Sequence, residues 1–131
     1  MKPNIIYLHG FASSPNSQKA QLLKARFEQA EINLQIPDLN RPSFERLTLT
    51  AMLNYLAEIV RTCPPGPVYL VGSSMGGLLA AHFVNRYRDA EAKRVELLFL
   101  LAPALDMVET QRRRLGDAEM ETWKKKGWRA F

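Results

Sequence analysis

Cysteine and long apolar runs are scarce in this sequence, and each scarcity excludes a class of protein. Cys63 is the only cysteine in 131 residues, so neither an intrachain disulfide nor a cysteine metal cluster can form. No apolar run approaches the roughly 18 residues of a membrane-spanning helix, and the apolar stretch after Met1 is too short for a signal peptide. We therefore expect a cytoplasmic protein with no metal site and no membrane partner.

The excess of positive charge is also small. The sequence has 18 Lys and Arg against 13 Asp and Glu, which gives a net charge of +5. The basic clusters at residues 112–114 and 124–126 alternate with acidic residues, in the pattern of a solvated helix surface. No RNA- or DNA-binding motif accompanies these clusters, so we expect no nucleic-acid partner.

Apolar runs alternate with helical stripes along the chain, and the length of 131 residues allows one core. Strand patterns occur at residues 5–8, 32–36, 68–71 and 95–101, and helical spacing occurs at 20–30, 49–60 and 78–84. Ser14 or Ser17 is expected to begin the first helix, and Ser43 the second. This alternation predicts an α/β three-layer sandwich. Its parallel sheet would have the spatial order second, first, third, fourth strand, because crossovers are right-handed.

A glycine-rich segment separates the third strand from the helix that follows it. Residues 72–76 are Gly-Ser-Ser-Met-Gly, the G-x-S-x-G nucleophile elbow, in which a serine stands on a strained strand-to-helix turn. The glycines would let strand and helix approach closely, and the helix N-terminus would direct N–H groups at an oxyanion formed at Ser74. The alternative is a glycine-rich turn of an ordinary α/β domain. Neither a dinucleotide motif nor a Walker loop fits this spacing, so no cofactor is predicted.

Together with an N-terminal segment, the elbow resembles a known superfamily. Residues 5–15 are Ile-Ile-Tyr-Leu-His-Gly-Phe-Ala-Ser-Ser-Pro, and residues 72–77 are Gly-Ser-Ser-Met-Gly-Gly. In this order, the two motifs resemble the α/β hydrolases, and among them small bacterial esterases of the YqiA type, over about residues 4–103. The resemblance implies that residues 1–106 form the N-terminal core of an α/β-hydrolase fold. It also implies a small-molecule carboxylic ester or thioester as substrate.

The resemblance further implies roles for individual residues. Ser74 would be the nucleophile, and the backbone N–H groups of Phe11 and Met75 would form the oxyanion hole. His9 and Gly10 belong to the same loop as Phe11 and are expected to contact the substrate. From its position alone, His9 is better explained as a loop histidine that hydrogen-bonds the backbone than as a proton-transfer group.

The sequence contains no convincing general base for Ser74. In α/β hydrolases a carboxylate and then a histidine follow the nucleophile on later strands. His82 is the only later histidine, but it lies about 12 Å further along the same helix at 1.5 Å per residue, so we expect it to serve in helix packing. Asp106 is a candidate acid, although a surface or helix-cap aspartate is the simpler interpretation. We expect a truncated hydrolase or, as the less favoured alternative, a degenerate one.

The C-terminal segment and the fourth strand add two expectations. Residues 107–131 are charged and too polar for a core, and their large apolar groups (Trp123, Trp128 and Phe131) suggest the start of a cap or lid that meets another surface. The apolar strand at 95–101 would form an unpaired sheet edge. Self-association through this edge is therefore predicted, and a non-catalytic interaction module is the alternative to ester hydrolysis. A mononucleotide-binding domain would instead require a phosphate at the elbow.

Overall fold

A four-stranded parallel sheet forms the centre of the computed structural model, which describes residues 1–126. The spatial order is β2-β1-β3-β4, and every neighbouring pair is parallel. The strands are β1 (Asn4–Leu8), β2 (Leu34–Gln35), β3 (Val68–Ser73) and β4 (Val95–Leu101). The predicted parallel sheet and its strand order are therefore confirmed.

Helices follow each strand and cover parts of both sheet faces. The α-helices are α1 (Gln18–Gln29), α2 (Leu49–Thr62), α3 (Met75–Arg86), α4 (Met107–Leu115) and α5 (Asp117–Lys126). The larger core lies where α2 and α3 meet one face of the sheet, and a smaller core lies where α1 covers β1 and β2 on the other face. This is the three-layer α/β arrangement that the alternation of patterns predicted.

The apolar stripe of α2 forms the centre of the larger core. Its Met52, Leu53, Leu56, Ala57 and Val60 are all buried, at the helical spacing that the sequence shows. Because these side chains recur every three or four residues, the helix presents one continuous face to the sheet. Burial of such a face is the main source of helix stability in a small domain.

Two expected helix caps need correction or refinement. Ser43 does not cap α2: it precedes a single 3-10 turn, Phe44–Arg46, after which Leu47 is extended. Thr48 caps α2 instead, and its hydroxyl accepts a hydrogen bond from the N–H of Ala51 at 3.0 Å. For α1 the cap is Ser17, not Ser14.

The second strand is shorter than the predicted residues 32–36. Ile32 still belongs to the turn that ends α1, because its N–H donates to the Phe27 carbonyl at 2.9 Å. Pro37 has no N–H to donate to a neighbouring strand. Only Leu34 and Gln35 therefore pair with β1.

One row of β4 side chains lies outside both cores. Leu97, Phe99 and Leu101 are 43%, 57% and 39% exposed. Each pairs with a β3 residue on the sheet face whose core, under α1, reaches from β1 and β2 as far as β3 but does not include these three side chains. Strand β4 is also the last strand of the sheet on that side. The predicted apolar edge is thus present among the described residues.

The C-terminal helices are partly buried, although their composition is polar. The segment was expected to be too polar for a core, yet Gln111 of α4 and Met120 of α5 are buried. The assignment of residues 107–131 as the start of a cap stays a prediction. Trp128, Phe131 and the expected helix end near Gly127 lie outside the described residues. None of the helices in residues 1–126 is long and apolar enough to cross a membrane.

Arg94 joins the end of α2 to the start of β4. Its guanidinium donates to the carbonyl oxygens of Val60, Cys63, Pro64 and Gly66, which no helical N–H can reach. Burial raises the pKa of the Cys63 thiol at this junction, and the Arg94 charge and a hydrogen bond with Gln35 oppose that rise. Arg94 therefore fixes the loop that leads into β3.

We expect Arg94→Met to lower the free energy of unfolding by about 2–3 kcal/mol, because it removes charged hydrogen bonds to half-buried carbonyls but keeps the aliphatic stem. Urea denaturation measures the effect. Arg61→Met is the matched control: Arg61 is 63% exposed and its guanidinium lies 3.7 Å from Glu91, a surface pair worth about 0.5 kcal/mol. Equal losses in the two variants would contradict the role assigned to Arg94.

Candidate active site

Ser74 occupies the sharp turn between β3 and α3. Its backbone angles are φ 53° and ψ −114°, a region that residues other than glycine rarely adopt. Its N–H donates to the Leu101 carbonyl at 3.0 Å, and its own carbonyl accepts from the N–H groups of Gly77 and Ala104, each at 3.0 Å. The side chain is exposed, and its hydroxyl does not cap α3. Strain at one residue is thus maintained by hydrogen bonds to two other segments.

Two glycines are sterically required for this turn. A Cβ added to Gly76 would lie 2.0 Å from the Leu8 carbonyl oxygen, and one added to Gly72 would lie 2.4 Å from the Gly76 carbonyl oxygen. Both contacts are with backbone atoms, which cannot move aside as a flexible side chain can. Helix α3 can therefore approach β1 and β3 only because these positions lack side chains.

The loop after β1 lies beside Ser74. A Cβ added to Gly10 would be 3.5 Å from the Ser74 Cβ, an ordinary van der Waals contact. The chain then turns, because the Ser13 N–H donates to the Gly10 carbonyl at 3.3 Å. Phe11 lies within this turn, and its half-buried ring packs on Phe44 with 5.2 Å between ring centroids. The N-terminal motif and the elbow therefore meet at one edge of the sheet.

His9 is fully buried and has a hydrogen bond at each ring nitrogen. Nε2 lies 3.0 Å from the backbone N of Leu39, and Nδ1 lies 2.9 Å from the Gly10 carbonyl oxygen. Because a backbone N–H can only donate and a carbonyl can only accept, Nε2 is the acceptor and Nδ1 carries the proton. His9 thus joins the loops after β1 and β2, which is the backbone role that its position favoured. Its contact with a substrate stays a prediction.

Met75 is the first residue of α3. The N–H groups of a helix's first turn have no acceptor within that helix, and they carry the positive end of the helix dipole. The Met75 side chain points into the larger core and is 1% exposed. The Met75 N–H is therefore suited to bind a negatively charged oxygen beside Ser74.

An apolar cleft of about 420 Å³ has Phe11 and Met75 among its lining residues. Sequence reasoning did not find it, because its walls come from four separate parts of the chain. The lining residues are Phe11, Leu47, Thr48, Leu49, Met52, Met75, Leu78, Met107, Val108, Gln111, Met120, Trp123 and Lys124. The four-residue spacing of Met107 and Gln111 was the available signal that α4 has an inward face.

The remaining candidates lie apart from this arrangement or are exposed. Asp106 directly precedes α4. Its side chain is exposed and makes no hydrogen bond that would cap this helix. His82 is exposed on α3, so the expectation that it serves in helix packing is wrong. Within residues 1–126, no hydrogen bond joins the Ser74 hydroxyl to a histidine or a carboxylate, and no three His, Cys, Asp or Glu side chains are grouped to hold a metal ion.

The model of an uncharacterised protein family, UPF0227, matches residues 4–129. The chain belongs to this family. A comparison with curated proteins finds no match.

Solved structures of α/β hydrolases share the fold. A protein of Agrobacterium vitis S4 assigned as a hydrolase has a TM-score of 0.77 at 23% identity, over 93% of this chain and 50% of its own. Mouse α/beta hydrolase domain-containing protein 10 has a TM-score of 0.72 at 24% identity, over 100% of this chain and 53% of its own. Est1E from Butyrivibrio proteoclasticus, solved with ferulic acid bound, has a TM-score of 0.69 at 22% identity, over 86% of this chain and 47% of its own. The chain thus has an α/β-hydrolase fold and spans about half the length of these structures.

We expect Gly76→Ala to prevent folding, because its Cβ would overlap the Leu8 carbonyl at 2.0 Å and cost well over about 4 kcal/mol. Circular dichroism of the purified variant measures this loss. Gly10→Ala is the matched control, since the nearest atom to its Cβ lies at 3.5 Å. A Gly76→Ala protein with a melting curve like that of Gly10→Ala would show that α3 does not approach β1 as described.

Proposed function

We propose that this chain contributes the nucleophile and the oxyanion hole of a serine hydrolase that acts on a small carboxylic ester or thioester. The observation that carries the proposal is the backbone of Ser74. A strained, exposed serine at a helix N-terminus is costly to the fold, and in α/β hydrolases this geometry presents the nucleophile. The fold of the structural neighbours and the Ser-Met-Gly-Gly sequence after Ser73 support the same proposal.

The chemistry would proceed by acyl transfer. Ser74 Oγ would attack the substrate carbonyl carbon, and the carbonyl electron pair would move to the oxygen. That oxyanion would accept hydrogen bonds from the N–H groups of Met75 and Phe11. Collapse of the tetrahedral intermediate would expel the alcohol or thiol and leave an acyl-serine, which water would then hydrolyse. The cleft that Phe11 and Met75 help to line would receive the apolar part of the substrate.

The proton of Ser74 requires a base that residues 1–126 do not place beside it. His9 is buried with both nitrogens engaged, and His82 is exposed on the far part of α3. We propose that a histidine from outside these residues accepts this proton. The acid that orients the histidine would come from outside them as well, or would be the exposed Asp106. In serine hydrolases that lack the base, the oxyanion hole and substrate binding still accelerate hydrolysis by about 10³–10⁴-fold over the reaction in water. We therefore expect residues 1–131 to hydrolyse esters only slowly.

A fluorophosphonate probe tests the nucleophile, because it reacts with activated serines and leaves a stable adduct. We expect slow labelling of the 131-residue chain, located at Ser74 by peptide mass spectrometry. Ser74→Ala should lose the label. Ser73→Ala is the matched control: this neighbouring serine is buried and accepts a hydrogen bond from Lys19 Nζ at 3.3 Å, so the variant should keep the label. Labelling that survives Ser74→Ala would refute the assignment.

The exposed row on β4 supports a second candidate, in which the chain associates with a copy of itself or with another chain. Leu97, Phe99 and Leu101 form an apolar row that residues 1–126 leave uncovered, at a sheet edge with which no described strand pairs. Such an edge is a template for pairing with another strand. This non-catalytic alternative does not use the strain at Ser74, and for that reason we place it second.

We expect the chain to form concentration-dependent dimers in sedimentation velocity, and Phe99→Lys to shift it to monomer. Phe99 is 57% exposed, so a charge there should leave the monomer folded. Leu22→Lys on α1 is the control, because Leu22 is 60% exposed on a helix whose buried side packs against β1 and β2 and not against β4. A wild-type chain that remains monomeric at high concentration would remove the self-association proposal.

A further inference from the structure

One side chain in the apolar cleft is a buried polar group whose burial the described residues do not compensate. Gln111 is 8% exposed, and its Oε1 is buried without a hydrogen-bond partner among residues 1–126. Buried side-chain oxygens nearly always have a partner, and a missing partner lowers the stability of the fold. The cleft around Gln111 is otherwise almost wholly apolar, with Met107, Met120 and Leu78 among its walls. A leucine or methionine at position 111 would fit these surroundings without that cost.

The orientation of α4 shows that Gln111 faces inward and is not simply a surface glutamine. The charged neighbours on α4 pair with one another near the solvent: Arg112 and Arg113 both reach Glu109, at 4.0 and 3.5 Å. Met107, four residues before Gln111, lines the same cleft and packs against the larger core. The Gln111 amide group therefore lies among apolar side chains, whereas these three charged side chains of α4 lie in the solvent.

The cleft also connects Gln111 to the proposed reaction. Its wall includes Met75 and Phe11, the two residues whose N–H groups would bind the oxyanion. A volume of about 420 Å³ lies within the range of small-molecule sites. An ester whose carbonyl lies at Met75 would extend its apolar group along this wall toward α4.

We propose that Gln111 is a specificity-determining residue: rotation of its side chain would turn the buried Oε1 toward the cleft, where it accepts a hydrogen bond from a neutral donor, a hydroxyl or an N–H, carried on the apolar group of the substrate. This inference rests on the proposed function for the direction in which the substrate lies. The preferred substrate is an ester or thioester with an apolar group that bears one such donor away from the reacting carbonyl. A site built to bind a hydroxyl discriminates against the analogue that lacks it, because its buried acceptor is then left unpaired.

Binding of matched carboxylates tests the proposal without catalysis. Straight-chain carboxylates of about six to twelve carbons, a span suited to a small-molecule cleft, are compared with their ω-hydroxy analogues by titration calorimetry on the 131-residue chain. At the length that reaches Gln111, we expect the ω-hydroxy acid to bind about three- to tenfold more tightly than its parent, the contribution of one hydrogen bond. The side-chain amide resonances of Gln111 should shift further with that ligand than with its parent.

Two substitutions of Gln111 and one control sharpen the result. Gln111→Leu and Gln111→Met should abolish the preference for the hydroxy acid, retain binding of the parent acid, and melt no lower than the wild type. Thr110→Leu, at the adjacent exposed position, should keep the preference. The proposal is overturned if no chain length shows a preference, or if the preference is the same in wild type and in both Gln111 variants.

The outcome is separable from that of the proposed function. Ser74→Ala removes the hydroxyl but not the cleft, so this variant should keep the Gln111-dependent preference. Failure of fluorophosphonate labelling together with an intact preference would refute only the nucleophile. Labelling at Ser74 without any preference would refute only the role of Gln111.

Discussion

The site depends on one steric constraint, the contact of the α3 backbone with the end of β1. Gly76 lies against the Leu8 carbonyl, and Gly72 lies against the Gly76 carbonyl, at distances that exclude a Cβ. Ser74, in the turn between these two glycines, has φ 53°. The contact also brings the loop after β1 beside Ser74. The two sequence motifs, more than 50 residues apart, are therefore parts of a single packing arrangement.

The strands, their order and the elbow could all be predicted from the sequence. Apolar runs gave the strands, the handedness of crossovers gave their order, and the small residues gave the elbow. These are local signals, or rules that hold for any α/β sheet. The cap predicted for α2 was wrong because Ser is in isolation at least as good a cap as Thr, whereas the extended Leu47 interrupts the chain between Ser43 and the helix. The prediction that His82 serves in helix packing was wrong because an apolar helix pattern does not reveal which side of the helix remains uncovered.

The cleft could not be predicted for a different reason. Its walls combine the loop after β1, the start of α2, the start of α3 and the helices α4 and α5, and no periodicity links segments so far apart in the chain. The composition of α4 and α5 instead suggested that they line no apolar site, since both helices are rich in charged residues. The structure reconciles these facts: charged residues of α4 pair with one another in solvent, while a minority of side chains on the same helices faces the cleft.

The exposed row on β4 and the strained serine are physically coupled. Leu101 belongs to that row, and its carbonyl accepts the hydrogen bond from the Ser74 N–H at 3.0 Å. Edge strands with few buried contacts open at a lower free energy than central strands. Opening of β4 at Leu101 would release one of the hydrogen bonds that hold Ser74 in its unfavourable conformation. Any surface that covers Leu97, Phe99 and Leu101 would therefore stabilise the geometry of the site as well as the edge of the sheet.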